Sequence, residues 1–270
     1  MKILLGTFDF RPRTALNDLF LGLKKWRLCI NWAKHDLIIR YKRSWIGIGW
    51  VILAFSSFLI AKILIFSFLT EEPLVYFSVY LALGFLIFRF IQSIIVDGCN
   101  IFVMAEGWIK SESMPFSIYA YRMILRNFTV FIYSCFPVFL MCIYYNNLEI
   151  ISFLSLGAAL FFLLVNATWV SLFLGIICTR YRDAMHLVST FMSIMYFLTP
   201  VLWVPSDLGK IGDIAIYNPF THFIAIIREP ILTGQIPFVS WGVVLIITLV
   251  GLLVSLLSLS LFRSRIVFWI

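Results

Sequence analysis

The chain has 270 residues, of which 62% are hydrophobic and 13% are charged, and its mean hydropathy is +1.01. A soluble domain carries about 25% charged residues, so this composition excludes a soluble enzyme and predicts a membrane protein with several spans. Of the net charge of +8, residues 1–43 carry +7, and we predict no nucleic-acid partner.

The first predicted element is an amphipathic helix over residues 19–41, lying in the membrane surface. A basic amphipathic helix with a tryptophan at its apolar edge is typical of the lipid headgroup boundary. We therefore divide the chain into a cytoplasmic N-terminal part, residues 1–43, and a transmembrane domain, residues 44–270. The apolar residues recur every three or four positions and share one face: Leu19, Leu23, Trp26, Ile30, Ala33, Leu37 and Tyr41.

A run of cations and aromatic residues ends this helix and leads into a glycine. One interpretation is an electrostatic anchor on anionic lipids. The other is a site for a substrate phosphate, which arginine can bind through a bidentate fork. The candidate residues are Arg40, Tyr41, Lys42, Arg43, Trp45 and Gly47.

Six apolar stretches follow, each long enough to be a transmembrane helix. About 20 residues cross a hydrocarbon core of about 30 Å, and the alternating pattern of a β-barrel is absent. The predicted fold is therefore all-α and polytopic. The spans are residues 44–69, 74–96, 123–145, 151–178, 187–204 and 238–262.

The charges predict an orientation with both termini in the cytoplasm. Residues 1–43 carry ten Lys/Arg and three Asp/Glu, and basic residues are concentrated in cytoplasmic segments of membrane proteins. Among the charges within spans, Lys62 and Arg89 each either extend to the interface or face a polar conduit. No span contains Asp or Glu, which argues against a proton- or sodium-coupled transporter.

The connection after the second span, residues 97–121, is the longest predicted cytoplasmic one. A short helix stopped ahead of a proline suits it, since the residue before proline is pushed away from the α region. The segment either docks another protein or is a surface loop. Its candidate residues are Glu106, Trp108, Lys110, Glu112 and Pro115.

The outer connection between spans five and six, residues 205–237, is longer than the other outer connections. Its apolar run at residues 224–227 is too short to cross. We expect two short re-entrant helices in the outer leaflet, serving as a gate, with a plain interfacial loop as the alternative. The candidate gate residues are Tyr217, Asn218, Pro219, Phe220, His222 and Arg228.

Motifs for chemistry are absent from the sequence. There is no phosphate-binding Gly-x-x-x-x-Gly-Lys-Ser/Thr loop and no Gly-x-Ser-x-Gly elbow. The three histidines are scattered, and the five cysteines show no paired spacing. We predict no catalytic residue, no metal site and no cofactor in this chain, so any ATP must be bound by a partner.

Two motifs together resemble the membrane permease subunits of ABC transporters that export O-antigen, capsular polysaccharide and teichoic acid. One is the run at residues 40–47 with Trp50 behind it, and the other is Asn-Pro-Phe-Thr-His at residues 218–222 with the segment 228–234. The region around residues 110–115 resembles the cytoplasmic loop of that family, and the resemblance covers nearly the whole chain. Two departures are Ile46, where leucine is usual, and Arg89, where an aromatic or apolar residue is typical.

The resemblance implies a homodimer of six-helix subunits in the bacterial inner membrane, working with two copies of a separate ABC ATPase that binds ATP and Mg. The substrate would be a polyprenyl-diphosphate-linked glycan, an O-antigen or capsule. Residues 40–47 would receive its diphosphate, residues 106–116 would be the coupling helix in the ATPase cleft, and residues 218–234 would form the periplasmic gate.

Two alternatives remain from the sequence. A lipid- or drug-exporting ABC permease would share the topology and could share the cations. A membrane glycosyltransferase would additionally need an acidic catalytic pair facing the cytoplasm, which Asp97, Glu106, Glu112 and Asp183 do not convincingly provide. A neighbouring ATPase gene and copurification with an ATPase would favour export.

Overall fold

Helices make up the architecture, and the described residues contain no strand. The computed structural model describes residues 12–70, 72–145, 150–209, 212 and 214–270. Short 3-10 turns cover Ser67–Leu69, Val103–Ala105, Pro205–Leu208 and Ala215–Tyr217. The α-helices with described bounds are α1 (Pro12–Lys24), α2 (Trp26–Tyr41), α3 (Gly49–Phe66), α4 (Leu74–Gly98), α5 (Glu106–Ser111), α6 (Ser117–Tyr145), α7 (Ile150–Arg180), α8 (Ala184–Leu198), α9 (Pro219–Thr233) and α10 (Phe238–Trp269).

Five of these helices, α3, α4, α6, α7 and α10, are long and apolar enough to cross a membrane. This confirms the coarse prediction of an all-helical polytopic membrane protein. Each of the five lies on a predicted span, although α6 and α10 extend several residues past the predicted bounds because their polar ends continue the helix outside the apolar stretch.

The fifth predicted span, residues 187–204, is not one continuous helix. Helix α8 has 15 residues, about 22 Å at roughly 1.5 Å per residue, which is shorter than the hydrocarbon core of about 30 Å. It ends because Thr199 precedes Pro200 and takes an extended conformation, with ψ of 138°. Val201, Leu202 and Val204 continue as buried, non-helical chain.

The N-terminal region contains two helices rather than the single predicted one. The chain turns at Lys25, where ψ is 25°. Helix α1 packs on α6 and α10, whereas α2 packs on α6. The buried face therefore differs from the predicted apolar face: Ala33 and Leu37 are buried, but Leu23 and Trp26 are exposed. Cys29 and the carboxylate of Asp18 are buried instead. The exposed apolar face is left available to lipid.

Helix α4 forms the centre of the bundle and is the most buried of the five long helices. It contacts α3, α6, α7, α8 and α9.

The tightest outer pair is α7 with α10, where a Cβ on Gly251 would clash with the Trp169 indole. In the same pair, the Asn166 amide donates to Thr248 Oγ1 at 2.7 Å and the Trp169 indole donates to Asn166 Oδ1 at 2.7 Å. Small residues and polar bonds between helices are the usual means of association in a bilayer.

Helix α9 is packed inside the bundle, against α4, α7 and α10. Asn218 caps its first turn, accepting from the Phe220 N–H at 3.0 Å, and Pro219 occupies the first helical position. Gly234 ends it in the left-handed conformation, with φ of 69°. One helix thus covers the predicted apolar run, while residues 210, 211 and 213, in the segment predicted to form the other short helix, lie outside the described residues.

Candidate functional site

The two ends of the bundle differ in charge. The end formed by α1, α2, α5 and the start of α6 is called the basic side, and the end formed by α9 and the start of α10 is called the opposite side.

Asp18 joins three helices on the basic side. It is fully buried, accepts from the Phe116 and Ser117 N–H groups at 3.1 and 2.9 Å, and lies 3.0 Å from Arg263 of α10. A carboxylate at a helix N-terminus also opposes the positive end of its dipole.

Two further ion pairs on the basic side surround a cavity. Arg122 of α6 forms a bidentate pair with Asp36 of α2, its Nε at 2.8 Å and its Nη2 at 2.5 Å. Arg126 lies 2.8 Å from Asp97 at the end of α4. Both pairs line a cavity of about 350 Å³, which Arg40 also lines. The structure therefore places Arg40 beside other cations that already have carboxylate partners.

The predicted phosphate-binding residues lie at the end of α2, which contains Arg40 and Tyr41, and in the loop between α2 and α3. Arg40, Lys42 and Arg43 face solvent, and Trp45 is 99% exposed. Arg43 has a φ of 71°, which is uncommon for a residue other than glycine, and Gly47 has a φ of 61°. Two left-handed positions thus bend the chain on either side of Trp45. Backbone strain of this kind concentrates at functional loops.

Helix α5 lies where the sequence predicted a short helix, and it ends at Ser111, ahead of Pro115. Glu106, Trp108 and Lys110 are exposed, Glu112 is extended and exposed, and Pro115 is buried. The Lys110 ammonium donates to Glu106 Oε1 at 2.6 Å and thereby lowers the pKa of the Glu106 carboxyl. The Trp108 ring packs on Trp32 of α2, with ring centroids 5.0 Å apart. The helix thus presents one charged and aromatic face to solvent.

The predicted gate residues have different environments on the opposite side. Tyr217 is 87% exposed. His222 is buried, with Nδ1 3.0 Å from Ser240 Oγ of α10 and Nε2 2.8 Å from the Ile216 carbonyl oxygen. The Asn218 amide donates to Thr199 Oγ1 at 2.9 Å, just past α8. These bonds join the start of α9 to α8 and α10.

Arg228 secures the non-helical chain that follows α8. It is 5% exposed, and its Nη1 donates to the Pro200 carbonyl oxygen at 2.7 Å. Its guanidinium lies 3.7 Å from the ring centroid of Tyr80 in α4, and the Tyr80 hydroxyl donates to the Pro200 and Trp203 carbonyl oxygens at 3.2 and 3.3 Å. Irregular backbone at membrane depth is tolerated where protein groups satisfy it, and Arg228 and Tyr80 do so here.

Aromatic rings connect these ends through the middle of the bundle. The Phe88 ring centroid lies 5.2 Å from that of Tyr196 and 5.9 Å from that of Phe220, and the Phe85 and Phe55 rings stack at 5.1 Å. We call Phe55, Phe85, Phe88, Tyr196 and Phe220 the aromatic cluster. It joins α3, α4, α8 and α9, and the exposed rings of Phe58 and Phe197 flank it.

Lys62 of α3 points into this cluster. Its Nζ lies 3.8 Å from the Phe85 ring centroid and 4.9 Å from that of Tyr196. The Arg89 guanidinium lies 5.8 Å from the same Phe85 centroid. The sequence identified both cations as charges within spans, but only the fold shows that both lie close to the ring of Phe85.

The structure brings the sequence candidates together in three separate places rather than in one site. The predicted phosphate-binding residues lie at the end of α2 and in the loop after it, the predicted coupling residues lie in and just after α5, and the predicted gate residues lie in and just before α9. The sequence analysis missed Asp18, Asp36 and Tyr80, which hold these places in position. Asp18 and Asp36 lie in a segment interpreted as interfacial, and Tyr80 is one aromatic among many, so no sequence signal distinguished them. No three acidic, histidine or cysteine side chains among the described residues are arranged to hold a metal ion.

Comparison with known proteins adds one relative. No family model matches the chain. The chain is 21% identical, over 240 residues, to the O-antigen export system permease protein RfbA of Klebsiella pneumoniae, and the alignment covers 86% of this chain and 89% of that protein. Over almost its entire length, this helical membrane protein is therefore similar to a permease of an O-antigen export system.

Proposed function

We propose that the protein is the membrane subunit of an ABC transporter that exports a polyprenyl-diphosphate-linked cell-surface polysaccharide, an O-antigen or a capsule. The observation that carries the proposal is the end-to-end similarity to an O-antigen export permease, on a chain with five membrane-spanning helices. Two copies form a homodimer in the bacterial inner membrane, with the basic side in the cytoplasm. Two copies of a separate ATPase bind ATP and Mg and drive export.

The packing of the single chain supports a second copy. Helix α3 is the least buried of the five long helices, and α8 contacts mainly α4 and α7. Both helices leave aromatic side chains exposed, Phe58 on α3 and Phe197 on α8. In the proposed dimer these faces and the aromatic cluster border the conduit, since sugar C–H faces stack on aromatic rings.

Removal of the gene tests the proposal in cells that produce the glycan. Deletion should remove the polysaccharide from the surface and leave lipid-linked glycan inside, and a plasmid copy should restore export. Purified protein alone should hydrolyse no ATP, whereas the complex with the ATPase encoded beside it should do so. A membrane glycosyltransferase would instead leave no lipid-linked glycan to accumulate, and a lipid or drug exporter would leave the surface polysaccharide unchanged.

Charge reversal on α5 should weaken assembly with the ATPase. We propose that the exposed face of α5 docks in the ATPase, and Glu106→Lys would place a positive charge one turn from Lys110, where like charges repel. We expect at least threefold less ATPase to copurify with Glu106→Lys or Glu112→Lys. Ser113→Ala, which is exposed beyond the end of the helix, is the matched control. Normal copurification and export by both reversal variants would remove α5 from the proposed interface.

The loop cations should act through geometry as well as charge. We propose that Arg40, Lys42 and Arg43 meet the substrate diphosphate, with Tyr41, Trp45 and Gly47 shaping the loop. Arg40→Ala and Arg43→Ala should each reduce export at least fivefold at normal membrane level, and Arg40→Lys should also reduce it, because lysine lacks the bidentate fork. Arg27→Ala, an exposed cation at the start of α2, is the control.

The competing explanation is non-specific anchoring of this segment on anionic lipid. Under it, each lost cation weakens membrane association by about 1 kcal/mol, and Arg27→Ala would behave like Arg40→Ala. Measuring surface polysaccharide together with the membrane level of each variant separates the two, and equal effects at both positions would rule out a specific diphosphate site.

A further inference from the structure

Two cations inside the membrane-spanning region lack a carboxylate partner among the described residues. Lys62 and Arg89 form no ion pair with any described residue. Charged side chains at this depth almost always face a bundle interior or a water-filled path, and they mark the route of an ion or a substrate. Lys62 is partly buried and Arg89 is exposed on the single chain, so both cations can meet a negative charge from outside the described residues.

Arg89 lies far from both ends of its helix, whereas Lys62 lies about one turn from the end of α3. Arg89 is nine residues from the nearer end of α4, about 14 Å along the helix axis. Lys62 is four residues before the end of α3, about 6 Å along it. Instead of extending past that end, the Lys62 ammonium lies over Phe85 of α4, at 3.8 Å, and near Tyr196 of α8. The ring faces stabilise a cation but carry no net negative charge.

A third polar group lies beside the cations. The Tyr196 hydroxyl is buried and has no hydrogen-bond partner in the described structure. A buried hydroxyl without a partner is costly. Two cations and one free hydroxyl therefore converge on the aromatic cluster, at the place where α3, α4 and α8 meet.

We propose that Lys62, Arg89 and Tyr196 form an intramembrane site for the anionic groups of the transported glycan, so that the substrate is an acidic polysaccharide bearing carboxylates or phosphodiesters. Pores for anions are lined by rings of Arg and Lys, and a homodimer would present two copies of the pair. A neutral glycan would find its stacking surface in the aromatic rings alone and would leave both cations unneutralised. This inference rests on the proposed export function and specifies its substrate.

Export in the native cells tests the site. Lys62→Gln with Arg89→Gln should lower surface polysaccharide at least tenfold at normal membrane level. The charge-keeping exchange, Lys62→Arg with Arg89→Lys, should stay within twofold of wild type, and Arg27→Gln should match wild type. Composition analysis of the surface polysaccharide should find uronic acid or phosphate in the repeating unit.

A binding measurement distinguishes a glycan from a lipid headgroup as the source of the negative charge. The transporter with its ATPase, in phosphatidylcholine nanodiscs, should bind oligogalacturonate at least tenfold more tightly than a maltooligosaccharide of equal length. The double Gln variant should lose that preference. If this variant instead loses bound phosphatidylglycerol and keeps the preference for oligogalacturonate, the cations hold lipid and the inference is wrong.

Different results would contradict the export function and the acidic-substrate site. Unchanged surface polysaccharide after gene deletion contradicts the proposed export function. Loss of polysaccharide on deletion, combined with normal export by the double Gln variant, keeps the function and overturns the acidic-substrate site. A neutral repeating unit overturns it as well.

Discussion

Replacing Asp18 with alanine is expected to lower the free energy of unfolding of the bundle by about 3 kcal/mol. The carboxylate is fully buried and satisfies the N–H groups of Phe116 and Ser117 at the start of α6. Without it, both donors lose their partner in an environment closed to water. Arg263 is 37% exposed, so solvent screens that ion pair and most of the loss comes from the backbone donors.

The measurement is thermal unfolding of the purified protein in detergent. Asp18→Asn keeps one acceptor oxygen and should fall between wild type and alanine. Asn17→Ala, at an exposed neighbouring position, should stay within about 0.5 kcal/mol of wild type. An Asp18→Ala protein that unfolds at the wild-type temperature would show that the start of α6 is held by packing alone.

Replacing Arg228 with alanine is expected to cost about 2 to 3 kcal/mol of stability and to reduce export. The guanidinium is buried, donates to Pro200 and stacks on Tyr80, so its loss removes a charge-assisted hydrogen bond and a cation–π contact together. Arg228→Lys keeps the charge but not the planar group, and it should recover less than half of the lost stability.

The control for this position lies on the same helix. Thr233→Ala changes an exposed side chain at the end of α9, whose hydroxyl bonds only to backbone groups, the Glu229 carbonyl oxygen and the Gln235 N–H, and it should be nearly neutral. Unfolding temperature and surface polysaccharide should be measured for all three variants. Equal behaviour of Arg228→Ala and Thr233→Ala would contradict the role of Arg228 in holding the chain after α8.

The long helices were predictable because each is a nearly unbroken apolar stretch, whose hydropathy alone requires a span. The end of α8 before residue 200 was also predictable from the sequence, because a residue before proline disfavours the α region and Thr199 precedes Pro200. The turn at Lys25 was not, because the glycine three residues before it, Gly22, is isolated within a helical pattern, and such a glycine does not by itself end a helix. It arises from contacts with α6 and α10, which only the fold creates.

The candidate site was predictable in its residues more than in its arrangement. Asn218 and His222 belong to a recognisable run, yet the partner of His222, Ser240, is a serine at the start of a hydrophobic helix with no distinguishing pattern. Asp18 and Ser117 are about a hundred residues apart in the chain. Pairs of this kind depend on how helices pack, and a single sequence does not show which distant residues come close together in space.

The bonds of Asp18 have a consequence for how the chain is made. Its partner Arg263 emerges from the ribosome about 245 residues later, which takes roughly 12 to 50 seconds at common rates of synthesis. Through that interval α1 lacks the α10 surface on which it packs. The first described helix therefore completes its docking only after α10 has been inserted, and a chain truncated before α10 would leave the face of α1 that packs on α10 uncovered, a surface that quality-control proteases would recognise.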